Sequence, residues 1–551
     1  MRVFLAVLLT LALFIPLPAL AVDQADLVNK IEELSKELDR LKQQMQEMQK
    51  QDETKEKRIA KVEKAAVESK KPSWLEIGGD YQLRFDSLKG DVHDYVDFMS
   101  MQQTMAPFVG QNIMAICMAD PSNPVCSAGA VKGYTAKNDA LFTNRFGLNV
   151  KAHATEDITV KARMLMYKVW GHQTDGPVSG SNAFFADKFN VFDGNTSHIP
   201  EDSVLRVDQA YATWSNVFGQ PVWLSVGRRP STGGVPTNLR RNVEKSGASG
   251  TPGLLVDYAF DGAVLGYAPY IEKLPGAYVK LCYGRGFDSG FRPANNGLKD
   301  VSFVGVDLAL YSTDNLHVEL QWDRGISIFA FPEATFNPAF GAQNTNLGDI
   351  DNFGAVVMGK LEDLGPGDLN LFASAALSKT HPNSNRFSAN IVTVDPATGD
   401  IIYVPNAPIA GLLDDGTNQS SHTGSAVYLG ARYDITKTGT KIGAEYNHGS
   451  KNWITFTPAS DDMWTSKLGT RGDVLEAYLI QELKQKAVSK YGKAYFRLGY
   501  QYYNFDYTGS NNWIGAPHKI SDLTTTDPMQ AQLFAPLEKA HDIYLTFNVE
   551  F

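Results

Sequence analysis

Beyond residue 21 the sequence lacks any run of about 18 to 20 apolar residues, the length that a membrane-spanning helix needs. The mean hydropathy is slightly negative, at -0.23. Both features exclude a helical membrane bundle. Neither excludes a membrane barrel, because its interior and loops are polar and only alternate residues face lipid.

The sequence also lacks the motifs that usually carry catalysis or hold a cofactor. There is no CxxCH haem-attachment motif, no HExxH zinc motif, no phosphate-binding P-loop and no GxSxG nucleophile elbow. Histidines and carboxylates are scattered without metal-ligand spacing. We therefore expect no cofactor, no metal and no enzymatic activity. The formal charge of -10 argues against nucleic acid as a partner.

Cysteine is scarce, with three residues in 551. Cys117 and Cys126 lie close together in the first long loop, and in an exported protein this spacing favours a disulfide that closes a small lobe. Cys282 falls in a strand and is expected to be unpaired.

The final stretch, residues 541–551, alternates strictly between apolar and polar residues. One face of an extended strand would carry Ile543, Leu545, Phe547, Val549 and Phe551. An apolar face that continues to the last residue fits a barrel whose solvent is lipid, although one edge strand of a soluble sandwich would look similar. A terminal strand ending in Phe resembles the assembly signal of bacterial outer-membrane proteins, and the resemblance gives that role to Phe551.

The amino end has the pattern of a secretory signal peptide over residues 1–21. Arg2 precedes an apolar run at 3–15, and Ala19-Leu20-Ala21 forms a cleavage site. A membrane anchor is the alternative, but the run is short and is followed by proline and small residues.

Residues 22–71 carry a heptad pattern that predicts a coiled-coil helix in the periplasm. The seam consists of Leu27, Ile31, Leu34, Leu38, Leu41, Met45 and Met48. One helix cannot bury such a stripe alone, so we expect a homo-oligomer. A trimer is favoured only because many porins are trimers, and a solvated, partly helical linker is the alternative.

Residues 72–551 read as an all-β transmembrane antiparallel barrel of about 16 strands. Long connections alternate with short turns throughout, as in outer-membrane barrels. Eighteen strands would result if 386–404 or 325–350 hid a membrane hairpin, although 390–404 reads as a hairpin within an outer loop. The strands are placed at 74–86, 142–153, 157–170, 203–214, 221–229, 260–269, 276–285, 301–311, 316–324, 352–361, 368–378, 425–434, 440–448, 473–482, 492–505 and 541–551.

The polar series of these strands predicts a charged lumen wall. Its candidate residues are Asp80, Arg84, Asp86, Lys161, Arg163 and Glu319. The third long loop, 230–259, is rich in Gly and Pro and would narrow the pore if it folded inward. The pore-constriction candidates are Arg228, Arg229, Arg240 and Arg241. Equally, these arginines could sit on a solvated loop or bind lipopolysaccharide phosphates.

Segment 74–84 (WLEIGGDYQLR), segment 227–231 (GRRPS) and the terminal Phe resemble one family. It is a domain-of-unknown-function family of outer-membrane porins with an N-terminal coiled coil, common in metal-reducing delta-proteobacteria. The resemblance implies a barrel channel and offers no substrate or catalytic residue. Some such barrels are thought to accompany multihaem cytochromes in extracellular electron-transfer gene clusters. The coiled coil also looks like that of trimeric sugar-specific porins.

Three functions remain open at this point. The first is a porin for passive diffusion of small hydrophilic or ionic solutes, embedded in outer-membrane lipid and lipopolysaccharide. The second is a redox-silent sleeve that holds a separate multihaem cytochrome. The third is an outer-membrane enzyme or adhesin, and the long loops are the one feature of the sequence that keeps this function open. A loop that constricts the lumen would favour the first, because a sleeve must leave room for a polypeptide.

The heptads predict that residues 22–71, expressed alone, form a self-associating helix. Replacing Leu34 and Leu38 with Asp should dissociate it, because each buried unpaired charge is costly. Analytical centrifugation and circular dichroism measure both effects. A wild-type peptide that stays monomeric and unfolded at high concentration would contradict self-sufficiency.

Overall fold

The computed structural model describes residues 74–174, 200–244, 246–247, 254–291, 297–329, 345–414, 416–417, 419–457, 462–484 and 492–551. The expected signal peptide and the coiled coil with its seam lie outside these residues. Within the described ranges, no helix combines the length and apolar character needed to cross a membrane.

The described residues are mostly extended, because period-two alternation of apolar and polar side chains suits a two-sided sheet. In chain order the strands are β1 (Leu75–Val92), β2 (Tyr95–Val96), β3 (Ala130–Val131), β4 (Tyr134–His153), β5 (Ile158–Val169), β6 (Arg206–Trp214), β7 (Val222–Ser231), β8 (Tyr258–Tyr267), β9 (Tyr278–Phe287), β10 (Val301–Ser312), β11 (Leu316–Phe329), β12 (Asn346–Leu364), β13 (Gly367–Pro382), β14 (Phe387–Val394), β15 (Ile401–Ala410), β16 (Thr423–Ile435), β17 (Thr440–Gly449), β18 (Gly472–Glu482), β19 (Lys493–Phe505) and β20 (Leu537–Glu550).

Sixteen of these strands form one closed barrel, and β20 closes it by pairing with both β19 and β1. Every neighbouring pair is antiparallel. The predicted barrel of 16 strands is confirmed, and each predicted segment corresponds to one barrel strand. The strands are longer than predicted where pairing continues beyond the alternating part. For example, β1 runs to Val92 and β4 begins at Tyr134, because these two extensions pair with each other.

The other four strands form two separate sheets, β2 with β3 and β14 with β15. The β14–β15 hairpin therefore belongs to a loop, which excludes the alternative of 18 barrel strands. Short α-helices span Phe98–Met105, Ile113–Ala119 and Thr237–Arg240. Single 3₁₀ turns lie at Ala106–Phe108, Pro124–Ser127, Val217–Gly219, Lys467–Gly469, Ile520–Asp522 and Pro528–Gln530.

Long loops and short turns occupy opposite ends of the barrel, which we call the long-loop end and the short-turn end. Turn 313–315 joins β10 to β11, and turn 436–439 joins β16 to β17. By contrast, the connection from β13 to β16 spans 383–422 and includes the β14–β15 hairpin. This separation leaves the long loops free to pack over, or into, one mouth of the barrel.

The two faces of the wall differ as the alternation predicts. On β20, Ile543 and Leu545 are exposed on the outside, while Asp542, Tyr544 and Thr546 are buried on the inside. Other strands expose the same kind of apolar outer residue, including Leu265, Leu281, Phe353, Leu429, Leu475 and Leu498. Apolar groups exposed around the outside of a closed sheet are typical of a barrel surrounded by hydrocarbon.

Phe551 extends the β20 pairing by two backbone hydrogen bonds. Its N–H donates to the Gly79 carbonyl at 2.9 Å, and its carbonyl accepts from the Gly79 N–H at 2.8 Å. A Cβ on Gly79 would lie 2.5 Å from the Gly147 carbonyl oxygen and 2.8 Å from the Phe551 ring, so both the β4 backbone and the ring need a glycine there.

Deleting Phe551, or replacing Gly79 with Val, should therefore impair closure of the barrel and lower the assembled fraction severalfold. The measurement is heat-modifiable migration of protein from isolated membranes. Met529→Ala, an exposed loop substitution, is the control. Equal amounts of folded protein in all variants would contradict a role for this contact in closure.

Candidate functional site: the lumen and its inward loops

The wall formed by β16–β20 and β1 carries charged side chains that are neutralised within the barrel. The Arg84 guanidinium lies 2.6 Å from the Asp86 carboxylate and 3.0 Å from that of Asp542, and its side chain is 1% exposed. It also packs over the Tyr544 ring, 4.6 Å from the centroid. Arg84 and Asp86 thus belong to the inward series as predicted, but a passing solute would not contact them directly.

The described part of the third long loop, 232–257, crosses the lumen. It leaves β7 and reaches β16–β19, which lie about half-way round the barrel in strand order. Arg240, at the end of the short helix Thr237–Arg240, makes the central contact. Its Nη1 lies 2.7 Å from Asp462 Oδ1 and 3.1 Å from Glu476 Oε2.

The tip of this loop is also held through its main chain and by an asparagine. The Tyr495 hydroxyl donates to the Arg241 carbonyl at 2.7 Å. Asn242 donates to Glu482 at 3.1 Å and accepts from Lys441 at 2.5 Å. Glu482 ends β18 and Lys441 begins β17, so the tip reaches close to the short-turn end.

A second loop, 450–471, enters the lumen from β17. The Lys467 ammonium contacts both Glu445 and Glu476, and its side chain is 3% exposed. Arg240 contacts the same Glu476 oxygen, so cations from two different loops share one wall carboxylate. The Tyr428 hydroxyl donates to Glu445 at 2.5 Å. Removing either cation would leave a buried carboxylate, Asp462 or Glu445, without its ion-pair partner.

The two inward loops are joined to each other near the long-loop end. Phe456 N–H donates to the Leu255 carbonyl at 2.9 Å, and Asp257 N–H donates to the Phe456 carbonyl at 3.0 Å. Trp453 and Ile454 are fully buried nearby. These residues belong to a hydrophobic cluster that includes the inward-facing wall residues Phe260, Phe303, Phe372 and Tyr428. Part of the lumen is therefore packed like a protein core, and it is narrower than the strand count alone implies.

The structure separates the four candidate constriction arginines. Arg228 belongs to the same alternation series as the exposed Leu224 and Val226, and it lies 3.6 Å from Asp261 on that outer face. Arg229 points inward, with its Nε 2.9 Å from Ser225 Oγ. Both are wall residues of β7 rather than loop residues. Arg240 and Arg241 lie at the loop tip, where Arg240 is buried and Arg241 is half-buried.

The side of the lumen formed by β4–β7 is more accessible and more basic. Lys161 is exposed in the inward series. Arg163 is 19% exposed, 2.6 Å from Asp80 and 2.8 Å from the Asn149 side-chain oxygen. The inward basic side chains on this side are Arg145, Lys151, Lys161, Arg163 and Arg229. Among the described residues, the carboxylates that face these five side chains are Asp80 and Asp208 beside Arg163 and Glu76 beside Lys151, so the local balance is positive.

The remaining candidate, Glu319, is buried on β11. One of its oxygens lies 2.6 Å from His317 Nε2. Nearby, the Lys280 ammonium lies 2.5 Å from Asp307. Within the described ranges, no group of three or more His, Cys, Asp or Glu side chains has the arrangement to hold a metal ion.

Cys117 and Cys126 form a disulfide with Cα atoms 5.6 Å apart, in the lobe that follows β2. Cys282 is a free thiol on β9. The sequence reasoning missed the network of Glu445, Glu476, Asp462 and Lys467. Alternation could have identified Glu476 as an inward residue of its predicted strand, but nothing local indicates that its partner comes from the third loop.

The ion pairs predict that Arg240 holds the third loop against the far wall. Arg240→Gln should weaken this docking, because loss of one member of a buried ion pair costs about 3–5 kcal/mol. We expect larger, noisier single-channel conductance in planar bilayers. Arg324→Gln, which alters a part-exposed ion pair, is the control. Unchanged conductance in an assembled Arg240→Gln protein would show that the loop is held by its other contacts.

Several solved structures are similar to this chain in fold. Salmonella typhi OmpF in complex with daunomycin is 10% identical, with a TM-score of 0.37, and covers 86% of this chain and 97% of its own. Pseudomonas putida OprB at high pH is 12% identical, with a TM-score of 0.41, and the match covers 87% of this chain and 94% of OprB. The channel DcaP of Acinetobacter baumannii is 10% identical, with a TM-score of 0.36, and the match covers 87% of this chain and 97% of DcaP. At these values the likeness carries no argument about solute or partner.

A search of curated proteins found no match. A family assignment nevertheless follows from the sequence itself. Residues 135–551, most of the chain and 14 complete strands of the barrel, match the family described as "Protein of unknown function (DUF3373)". The chain belongs to this family.

Proposed function

We propose that this protein is an outer-membrane channel for passive diffusion of small hydrophilic or ionic solutes. The observation that carries the proposal is a closed barrel with apolar residues around its outside and charged residues on its inside. Such a wall suits lipid on one face and water on the other. The loops narrow the lumen, so we expect small solutes rather than polymers to pass.

Ionic selectivity would arise on the basic side of the lumen. Lys161 is exposed there, and the basic side chains, which include Arg163 on β5 and Arg241 at the loop tip, outnumber the carboxylates on this side. Fixed charge in a narrow, low-dielectric passage changes the barrier for ions of each sign. We therefore propose that this side of the pore favours anions.

A redox-silent sleeve for a multihaem cytochrome is the second candidate. A sleeve needs a clear lumen, whereas here Arg240 and Lys467 bind two loops to the same wall carboxylate inside the barrel. Opening the lumen for a polypeptide would break these ion pairs and the hydrophobic cluster above them. The proposed channel requires no such change, and this favours diffusion over the sleeve.

The amino-terminal segments complete the proposal. Residues 1–21 would direct export, and residues 22–71 would form a periplasmic coiled coil that assembles the barrels as a homotrimer. Lipopolysaccharide would contact the outer rim, where Arg228 lies in the outward series. These assignments are supported by the sequence patterns alone.

The selectivity proposal predicts the effect of neutralising the basic side. Lys161→Gln combined with Arg241→Gln should shift the reversal potential in a salt gradient toward cation selectivity. The shift should shrink at high salt, where the screening length falls to about 3 Å. Planar-bilayer recording measures both quantities.

Arg228→Gln provides a control, because it removes one positive charge from the outer face of the wall. It should leave the reversal potential unchanged. An assembled double variant with unchanged reversal potential at low salt would contradict anion preference on this side. Failure of the wild type to conduct ions at all would contradict the channel proposal itself.

A further inference from the structure

A cavity of about 800 Å³ lies among the long loops, outside the ion network of the lumen. The disulfide-closed lobe, the β14–β15 hairpin and the loop 506–536 contribute to its lining. Much of the lining is apolar, including Met101, Met105, Ile409, Ala410, Ile514 and Phe534. This volume is in the range that accommodates a compact organic molecule.

Arg471 reaches this cavity from the residue preceding β18, and its side chain is only 1% exposed. Its three hydrogen bonds all go to main-chain carbonyls, those of Trp453 at 3.1 Å, Thr508 at 3.1 Å and Asn512 at 2.5 Å. Among the residues that the structure describes, no carboxylate lies within ion-pair distance of this guanidinium.

The rest of the lining does not offset this charge. Among the lining residues that the structure describes, Asp414 is the one carboxylate, and the Arg386 guanidinium binds it in two places. Burial lowers the pKa of His518, which also lines the cavity, so its imidazole is neutral at neutral pH. Within the described ranges, the cavity therefore combines a largely apolar lining with one buried cation that has no carboxylate partner.

We infer that this cavity is a binding site for a small amphipathic anion, an organic carboxylate with an apolar body. The carboxylate would accept hydrogen bonds from Arg471, because the planar guanidinium has five N–H donors and the carbonyls use three of them. The apolar body would contact the side chains of the loop lobe and hairpin. Gly509 also lines the cavity beside the guanidinium, where a Cβ would lie in van der Waals contact with Nη1 at 3.4 Å.

This inference goes beyond the proposed channel, because binding among the long loops does not require conduction. The test uses the full-length protein in nanodiscs and isothermal titration calorimetry. The three probes are 4-phenylbutanoate, 4-phenylbutanol and 4-phenylbutylammonium, which share an apolar body and differ in charge. We expect the carboxylate to bind about tenfold or more tightly than the alcohol, and the ammonium to bind least. Empty nanodiscs correct for partition into lipid.

Arg471→Gln should abolish the preference for the carboxylate over the alcohol. Arg324→Gln, which replaces an arginine of β11 instead, should leave the preference for the carboxylate intact. If Arg471→Gln fails to assemble, Ile409→Trp decides the question, because it narrows the cavity and keeps the guanidinium. The assembled Ile409→Trp protein should bind the carboxylate more weakly than the wild type does.

Two results would overturn the inference. The first is equal affinity for carboxylate and alcohol in the wild type, or no binding of either probe. The second is an assembled Ile409→Trp or Arg471→Gln protein that binds the carboxylate as the wild type does. Bilayer recording without probe reports the channel separately, so failure of this site and failure of the channel are distinguishable.

Discussion

Closure of the sheet between β1 and β20 is the constraint on which the rest of the structure depends. In hydrocarbon, each unpaired backbone N–H or carbonyl costs several kcal/mol, so a sheet in a membrane cannot keep a free edge. Here β20 pairs with β19 on one side and β1 on the other, and Phe551 adds two bonds to Gly79. Closure gives every strand an inner and an outer face. It thereby determines which of the alternating side chains face the lumen and which face lipid.

Closure also encloses a wide interior, which the loops partly fill. A 16-stranded barrel has an interior too wide for its own wall side chains to fill. Two loops occupy part of this interior, and their cations, Arg240 and Lys467, are matched to the wall carboxylates Glu445 and Glu476. The buried charges compensate one another there, whereas the basic side on β4–β7 keeps charges accessible to water. The wall at β16–β19 thus anchors loops, whereas the side formed by β4–β7 is available to solutes.

The same contrast distinguishes Arg240 from Arg471. Both guanidiniums are buried, but Arg240 is paired with two carboxylates and Arg471 with three carbonyls. Carbonyl dipoles satisfy hydrogen bonds without cancelling the charge. The first arrangement is complete without a ligand, whereas the second leaves a net charge that an anion could offset.

The sequence by itself determined the barrel, its sixteen strands and the inward direction of Asp80, Arg84 and Asp86. These follow from period-two alternation, a local property in which each residue's face depends only on its place along one strand. The tertiary structure alone decided which inward residues stay accessible. Arg240 meets Glu476 across 236 residues of sequence, and no local pattern encodes such a pairing. It also decided that Arg240 is neutralised, because the position of a loop depends on the far wall to which it binds.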